Sequence, residues 1–287
     1  MLAADLGLFH RRPHEISLRE AAVWSSVWIG LAWVFGFGLR HFWGSSAALQ
    51  FFSGYLIEKA LSLDNIFLFV LIFSSFKVPV AYQHRVLSWG VLGALVMRGV
   101  IIAAGSVLIS RYHWILYVFG AFLVFTGIRL AMQAGREMDP GAHPVLRLIR
   151  RLVPVTSDFR GTRFFVREPA LAATPLFVVL ALVETTDLIF AVDSIPAVFA
   201  VTQDPFLVYT SNVFAILGLR NLYFVIASAI GKFRYLKPGL AVLLAFVGIK
   251  MLVSGVFPIS AGVSLGIMAL ILFAAFAADG LRTLWSP

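Results

Sequence analysis

The sequence has no cysteine and few charged residues. Only 13% of its 287 residues are Asp, Glu, Lys or Arg, whereas soluble domains average about 25%. Without cysteine, disulfides, thiolate metal sites and cysteine nucleophiles are all excluded. The Gly-x-Gly-Asp pattern that would accompany an intramembrane aspartyl protease is also missing. These absences, together with the features below, indicate a protein that is not an enzyme.

Apolar residues make up 60% of the chain, and the mean hydropathy is +0.92. They occur in long runs, and a run of about 20 apolar residues is long enough to cross a bilayer as a helix. The sequence therefore predicts an all-α polytopic membrane protein, a single transmembrane domain over residues 1–287, with the lipid bilayer around it. About eight spans are expected, near residues 21–39, 48–74, 86–109, 112–133, 174–201, 209–230, 237–257 and 259–281.

The net charge of +9 follows the predicted topology. The one long polar segment, about residues 134–173, is rich in arginine and is expected to have amphipathic or irregular structure on the membrane surface. With this segment in the cytoplasm, 16 of the 23 Lys and Arg residues lie inside and two lie outside. This asymmetry is the positive-inside pattern of a multi-pass inner-membrane protein. It accounts for the basic composition without any nucleic-acid partner.

Two of the predicted spans carry acids at matching positions. Residues 184–196 contain Glu184, Asp187 and Asp193, and residues 58–65 contain Glu58 and Asp64. Asp187 precedes Asp193 by six positions, as Glu58 precedes Asp64. Acidic side chains at membrane depth cost a few kcal/mol each or more, so they face the bundle interior or water and usually mark a pathway.

The similarity extends to the neighbouring spans. Residues 121–129 resemble residues 242–250, which places Gly127 on Gly248, and Arg98 has a counterpart in Arg220. The repeated unit is then three spans, residues 48–133 against 174–257, with peripheral spans at 21–39 and 259–281. An odd number of spans inverts the second copy, as in many secondary transporters whose sites lie near the midplane.

The candidate ligands all offer oxygen, which suits Mg, Ca or Mn rather than Cu, Ni or Zn. Pro196 is expected to kink its helix and free the carbonyl of Val192 beside the acids. Lys59, Arg98 and Arg220 are expected to offset the negative charge when the site is empty, although buried ion pairs that only hold the bundle together are the alternative. No cofactor is expected. The predicted ligands are Glu58, Asp64, Asn65, Glu184, Asp187, Asp193 and Asn212.

Five stretches resemble the TerC family of integral membrane proteins, close to its Alx-like members. They are the acidic stretches 54–65 and 184–196 and residues 85–98, 119–129 and 210–223. The resemblance implies a LysE-like transporter architecture, an association with tellurium resistance and export of Mn²⁺. It also implies an additional span upstream of residues 5–9. Two alternatives stay open: a non-transporting scaffold that recruits stress-resistance proteins on the cytoplasmic side, and an exporter of another hard cation such as Ca²⁺.

Overall fold

The computed structural model describes residues 18–112, 114–132, 151, 153–167, 171–227, 235–257 and 259–285. Within these ranges the side chains of Asp64, Phe67, Asp193 and residues 236–237 and 281–285 are not described. The described residues form nine helices and one two-stranded antiparallel sheet. In chain order these are α1 Leu18–Trp43, α2 Ser45–Ser75, α3 Val80–Arg111, α4 Ile115–Met132, β1 Phe165–Arg167, β2 Leu171–Ala173, α5 Pro175–Phe199, α6 Pro205–Leu217, α7 Leu219–Ala227, α8 Leu236–Val253 and α9 Ala261–Trp285.

Each predicted span falls on a helix, which confirms the all-α membrane class. Five of the described helices are long and apolar enough to cross a membrane, or six if the bent pair α6–α7 is one span. The expected eight include two helices that this criterion does not count. One is α2, which carries Glu58, Lys59 and Asp64, and the other is α8, whose apolar part Pro238–Val253 is short.

Local sequence signals explain where several helices begin. Pro175 and Pro205 each occupy the first turn of a helix, where the missing N–H has no intrahelical partner in any case. The Asp204 carboxylate accepts a hydrogen bond from the Phe206 N–H at 2.9 Å and caps α6. Gly44 turns the chain between α1 and α2 with a φ of 89°, a conformation that suits glycine.

The two acidic helices, α2 and α5, pack against each other in the centre of the bundle. The helix α3 packs on α5 and α6, and α6 packs on α2, while α1 lies outside against α2 and α7. The largest buried apolar cluster runs through these helices and includes Ile57, Ile66 and Leu182. The arrangement therefore places both acidic stretches in the interior.

The predicted break at Pro196 is not where the bundle is interrupted. The proline lies inside α5, which continues to Phe199, because membrane helices tolerate proline where neighbours satisfy the backbone. The interruption lies at Gly218, where α6 and α7 meet at 43°.

Part of the basic segment is described, and it folds over one end of the bundle. Its two short strands pair with Val166 opposite Ala172, and Tyr82 at the start of α3 packs on Phe159. The Arg85 guanidinium lies 5.3 Å from the centre of the Phe164 ring. We call this the basic end. Residues 133–150, 152 and 168–170 of the segment lie outside the described part, as do residues 1–17.

Candidate functional site

A single arginine joins the two acidic helices. Arg98 of α3 is 1% exposed, and its Nη1 donates to Glu58 of α2. Its Nε and Nη2 donate to the two carboxylate oxygens of Asp187 of α5, at 3.2 and 3.0 Å. Glu58 and Asp187 are the acids that the predicted repeat aligns with each other. One guanidinium therefore pairs with a carboxylate from each of the two acidic helices, which a planar group with five donors can do.

Neutral side chains complete this cluster. Arg98 Nη1 also donates to Asn212 Oδ1 at 2.9 Å and to Ser194 Oγ at 3.3 Å. Asn65 Nδ2 donates to Asp187 Oδ1 at 3.3 Å. Side chains from α2, α3, α5 and α6 thus meet around one guanidinium. Asn212, which the sequence offered as a seventh ligand, lies within this cluster.

A stripe of oxygens on α2 has no hydrogen-bond partner among the described residues. Glu58 Oε2, Ser62 Oγ and Asn65 Oδ1 are buried, and each residue is 1% exposed. Their spacing of four and three residues places them on one face of the helix. Buried oxygens almost always find a donor or a cation, so this face is chemically suited to a ligand that offers positive charge.

Glu184 lies one turn of α5 before Asp187, but its environment differs. Its carboxylate occupies the space over Gly93 of α3, where a Cβ would overlap it. Glu184 Oε2 is buried and has no described hydrogen-bond partner. The glycine at position 93 therefore creates the room for this acid.

The structure describes two predicted ligands by their backbone alone. Asp64 belongs to α2 and Asp193 to α5, and both side chains lie outside the described part of the structure. Among the side chains that are described, no three His, Asp or Glu residues are arranged to hold a metal ion. Of the predicted ligand acids whose side chains are described, Glu58 and Asp187 bind Arg98, and Glu184 lies against Gly93.

The other two predicted cations each donate a described hydrogen bond to a neutral group. Lys59 Nζ donates to the Ala215 carbonyl at 3.0 Å. Arg220 Nη1 donates to Ser88 Oγ at 3.2 Å. A cavity of about 20 Å³ lies between Arg220 and Asp187, with Gly90, Ala94 and Leu219 in its wall. This volume is enough for one water molecule.

The chain matches the integral membrane protein TerC family over residues 43–283. This match covers most of the sequence, including every residue of the Arg98 cluster. The chain belongs to the TerC family. The membership confirms the family resemblance seen in the acidic stretches.

Several similar proteins match nearly the whole chain in sequence. "Uncharacterized membrane protein STKORF319" of Myxococcus xanthus is 49% identical over 100% of this chain and 90% of its own length. "Putative membrane-bound redox modulator Alx" of Escherichia coli strain K12 is 49% identical over 96% of this chain and 89% of its own length. A membrane protein of Rickettsia bellii is 39% identical, over 96% and 92%. No solved structure matches the chain.

The sequence analysis named Arg98 and four of its partners in this cluster, but it did not name three neighbouring residues. Ser194 directly follows Asp193 and aligns with Asn65, a signal that could have included it. Ser88, near the start of α3, is buried and accepts a hydrogen bond from Arg220. Gly93 gives no signal in one sequence, because only the packing of α5 on α3 shows which acid lies against it.

Proposed function

We propose that this TerC protein exports a divalent cation, Mn²⁺, across the inner membrane. The observation that carries the proposal is the buried cluster in which Arg98 joins Glu58 to Asp187. A protein that only needs cohesion can pack its helices with small residues and neutral hydrogen bonds. Charged groups at this depth are expensive, and they mark ion pathways in membrane proteins.

In this proposal Arg98 acts as a resident cation for the site. When no ion is bound, its guanidinium pairs with both Glu58 and Asp187, so that neither carboxylate is left without a cation in the interior. A dication that reaches the site competes with the guanidinium for these oxygens. Return of Arg98 to the carboxylates then favours release. The exchange keeps both carboxylates in contact with a cation at each stage, which lowers the desolvation cost.

The donor set supports a hard cation. Carboxylate, amide and hydroxyl oxygens from Glu58, Ser62, Asn65, Asp187 and Asn212 surround or border the cluster. We propose that Asp64 and Asp193 complete the set. Oxygen ligands suit Mn²⁺, Mg²⁺ and Ca²⁺, whereas Zn²⁺ and Cu²⁺ favour imidazole or thiolate. Histidine is absent from both acidic helices.

Packing between the third helices of the two halves supports an inverted repeat. A Cβ at Gly127 would approach the Ala241 carbonyl, and one at Gly248 would approach the Gly120 carbonyl. Ascending numbers on α4 meet descending numbers on α8, so the two helices run antiparallel. The alignment of Gly127 on Gly248 also places Gly120 on Ala241. The two contacts are therefore the same contact seen from each half, as a two-fold axis in the membrane plane predicts.

Metal content of cells with and without the protein tests the proposal. Under a panel of divalent-metal loads, expression should lower cellular Mn and leave Zn and Cu unchanged, as measured by mass spectrometry. Asp187→Asn should abolish the effect. Asp158→Asn, which changes an exposed acid of the basic segment, is the matched control and should export normally. A selective fall in Ca would identify a different hard cation as substrate, and no change in any metal would favour the scaffold.

A further inference from the structure

Lys59 lies beside the break between α6 and α7. Its Nζ donates at 3.0 Å to the carbonyl of Ala215, in the last turn of α6. At the break itself, a Cβ on Gly218 would lie 3.0 Å from Lys59 Nζ and 3.2 Å from Trp28 Cβ. Glycine at position 218 therefore leaves the space through which the lysine reaches the broken helix.

The local charges explain why a lysine suits this place. The last carbonyls of a helix lack intrahelical donors and carry partial negative charge. An ammonium that donates to one of them satisfies the carbonyl and offsets the helix dipole. Lys59 Nζ also lies 5.9 Å from the centre of the Tyr55 ring, at the outer limit of a cation–π contact. Among the described side chains, Lys59 forms no ion pair with a carboxylate.

The break separates a residue of the Arg98 cluster from two residues of the cavity wall. Before it, Asn212 of α6 accepts a hydrogen bond from Arg98 at 2.9 Å. After it, Leu219 and Arg220 of α7 form part of the wall of the cavity beside Asp187. A tether to the last turn of α6 fixes the point from which α7 departs, and hence that wall.

We propose that Lys59 is a positioning residue whose ammonium holds the break between α6 and α7 and keeps α7 closed over the cavity beside Asp187. The lysine belongs to α2, directly after Glu58, so it connects the acidic helix to the broken span. The role of this closure in ion export rests on the proposed function. The tether itself rests only on the packing around Ala215 and Gly218.

Thiol labelling tests the tether cleanly because the chain has no native cysteine. Ala94→Cys places a thiol in the cavity wall, at a position that is 4% exposed. Ala197→Cys places a thiol at a buried position of α5 that does not line the cavity, where exposure is 0%. The rate of reaction with a small methanethiosulfonate reagent is measured on purified protein by intact mass. Each cysteine is compared with Lys59 present and in the Lys59→Met background.

We expect Lys59→Met to raise the labelling rate of Ala94→Cys by about tenfold, the change that one lost charge-assisted hydrogen bond produces in an opening equilibrium. The rate at Ala197→Cys should not change. Gly218→Ala should have the same selective effect because its Cβ displaces the lysine tip. It replaces Lys59→Met as the test variant if Lys59→Met does not fold. An unchanged rate at Ala94→Cys, or an equal rise at both cysteines, would overturn the proposal. Since no transported ion is needed, the result stands apart from whether the protein exports Mn²⁺.

Discussion

Gly120 and Gly248 face each other across the contact between α4 and α8. A Cβ on Gly120 would lie 3.0 Å from the Gly248 carbonyl oxygen, and one on Gly248 would lie 2.7 Å from the Gly120 carbonyl oxygen. The reciprocal approach brings the two backbones together without side chains between them. Small residues that permit such contact are the usual means of packing helices in a membrane, where the surrounding lipid is as apolar as the side chains.

Gly248→Ala should therefore destabilise the protein. The added Cβ meets backbone atoms of α4, which cannot move aside as a side-chain tip can, so the helices must separate. Overpacking of this kind costs about 1–3 kcal/mol, and thermal unfolding of purified protein should occur at a lower temperature. Gly266→Ala in α9 is the matched control, because a Cβ there meets no atom within 4 Å. Equal melting temperatures for the two variants would contradict the close contact.

Arg98→Gln should lower the amount of protein in the membrane. It leaves Glu58 and Asp187 buried without a cation, and breaking a buried ion pair costs about 3–5 kcal/mol. Quantitative immunoblotting of membranes measures the effect. Combination with Asp187→Asn should recover part of the loss because one stranded charge is removed. The control is Arg111→Gln, at an exposed position near the end of α3. Normal abundance of Arg98→Gln would show that the stability of the cluster does not depend on its cation.

Asp64→Asn and Asp193→Asn should each abolish export at normal abundance. Asparagine keeps the size and one carbonyl oxygen of aspartate but removes the charge that a dication needs. If Asp64 and Asp193 are symmetry-related ligands of one ion, removing the charge of either one weakens ion binding and ion transport. Metal export and membrane abundance are measured together for each variant. Normal export from one variant removes that residue from the site, and low abundance with normal activity per molecule would favour a purely structural ion pair.

The basic segment should face the cytoplasm. A cysteine at Gly141 should resist an impermeant thiol reagent in intact cells, whereas a cysteine at Gln203 should react. Gln203 is exposed between α5 and α6, at the end of α5 opposite the basic end, and its substitution leaves the Asp204 cap intact. Labelling of Gly141→Cys in intact cells would reverse the whole topology.

The membrane class and the helix positions could be predicted from sequence because both depend on local composition. Each apolar run is long enough to span lipid, and lipid forces its backbone into a helix. The equivalence of Glu58 and Asp187 in a repeat also comes from sequence, since matching spacings in two apolar runs need no coordinates, and it stays a prediction. The orientation of the chain stays a prediction that rests on the placement of Lys and Arg.

Other features depend on which surfaces meet in three dimensions. Pro196 was expected to kink its helix, but α5 continues through it to Phe199, and the interruption in the described residues falls at Gly218. Lys59 and Arg98 are both cations within apolar spans, and composition does not indicate which of them binds the carboxylates. Tertiary packing directs Arg98 to Glu58 and Asp187, while it directs Lys59 to a carbonyl beside the break. Burial makes each unpaired charge costly, so Arg98 and Lys59 each bind the acceptor that the fold brings within reach, and the sequence alone does not specify that acceptor.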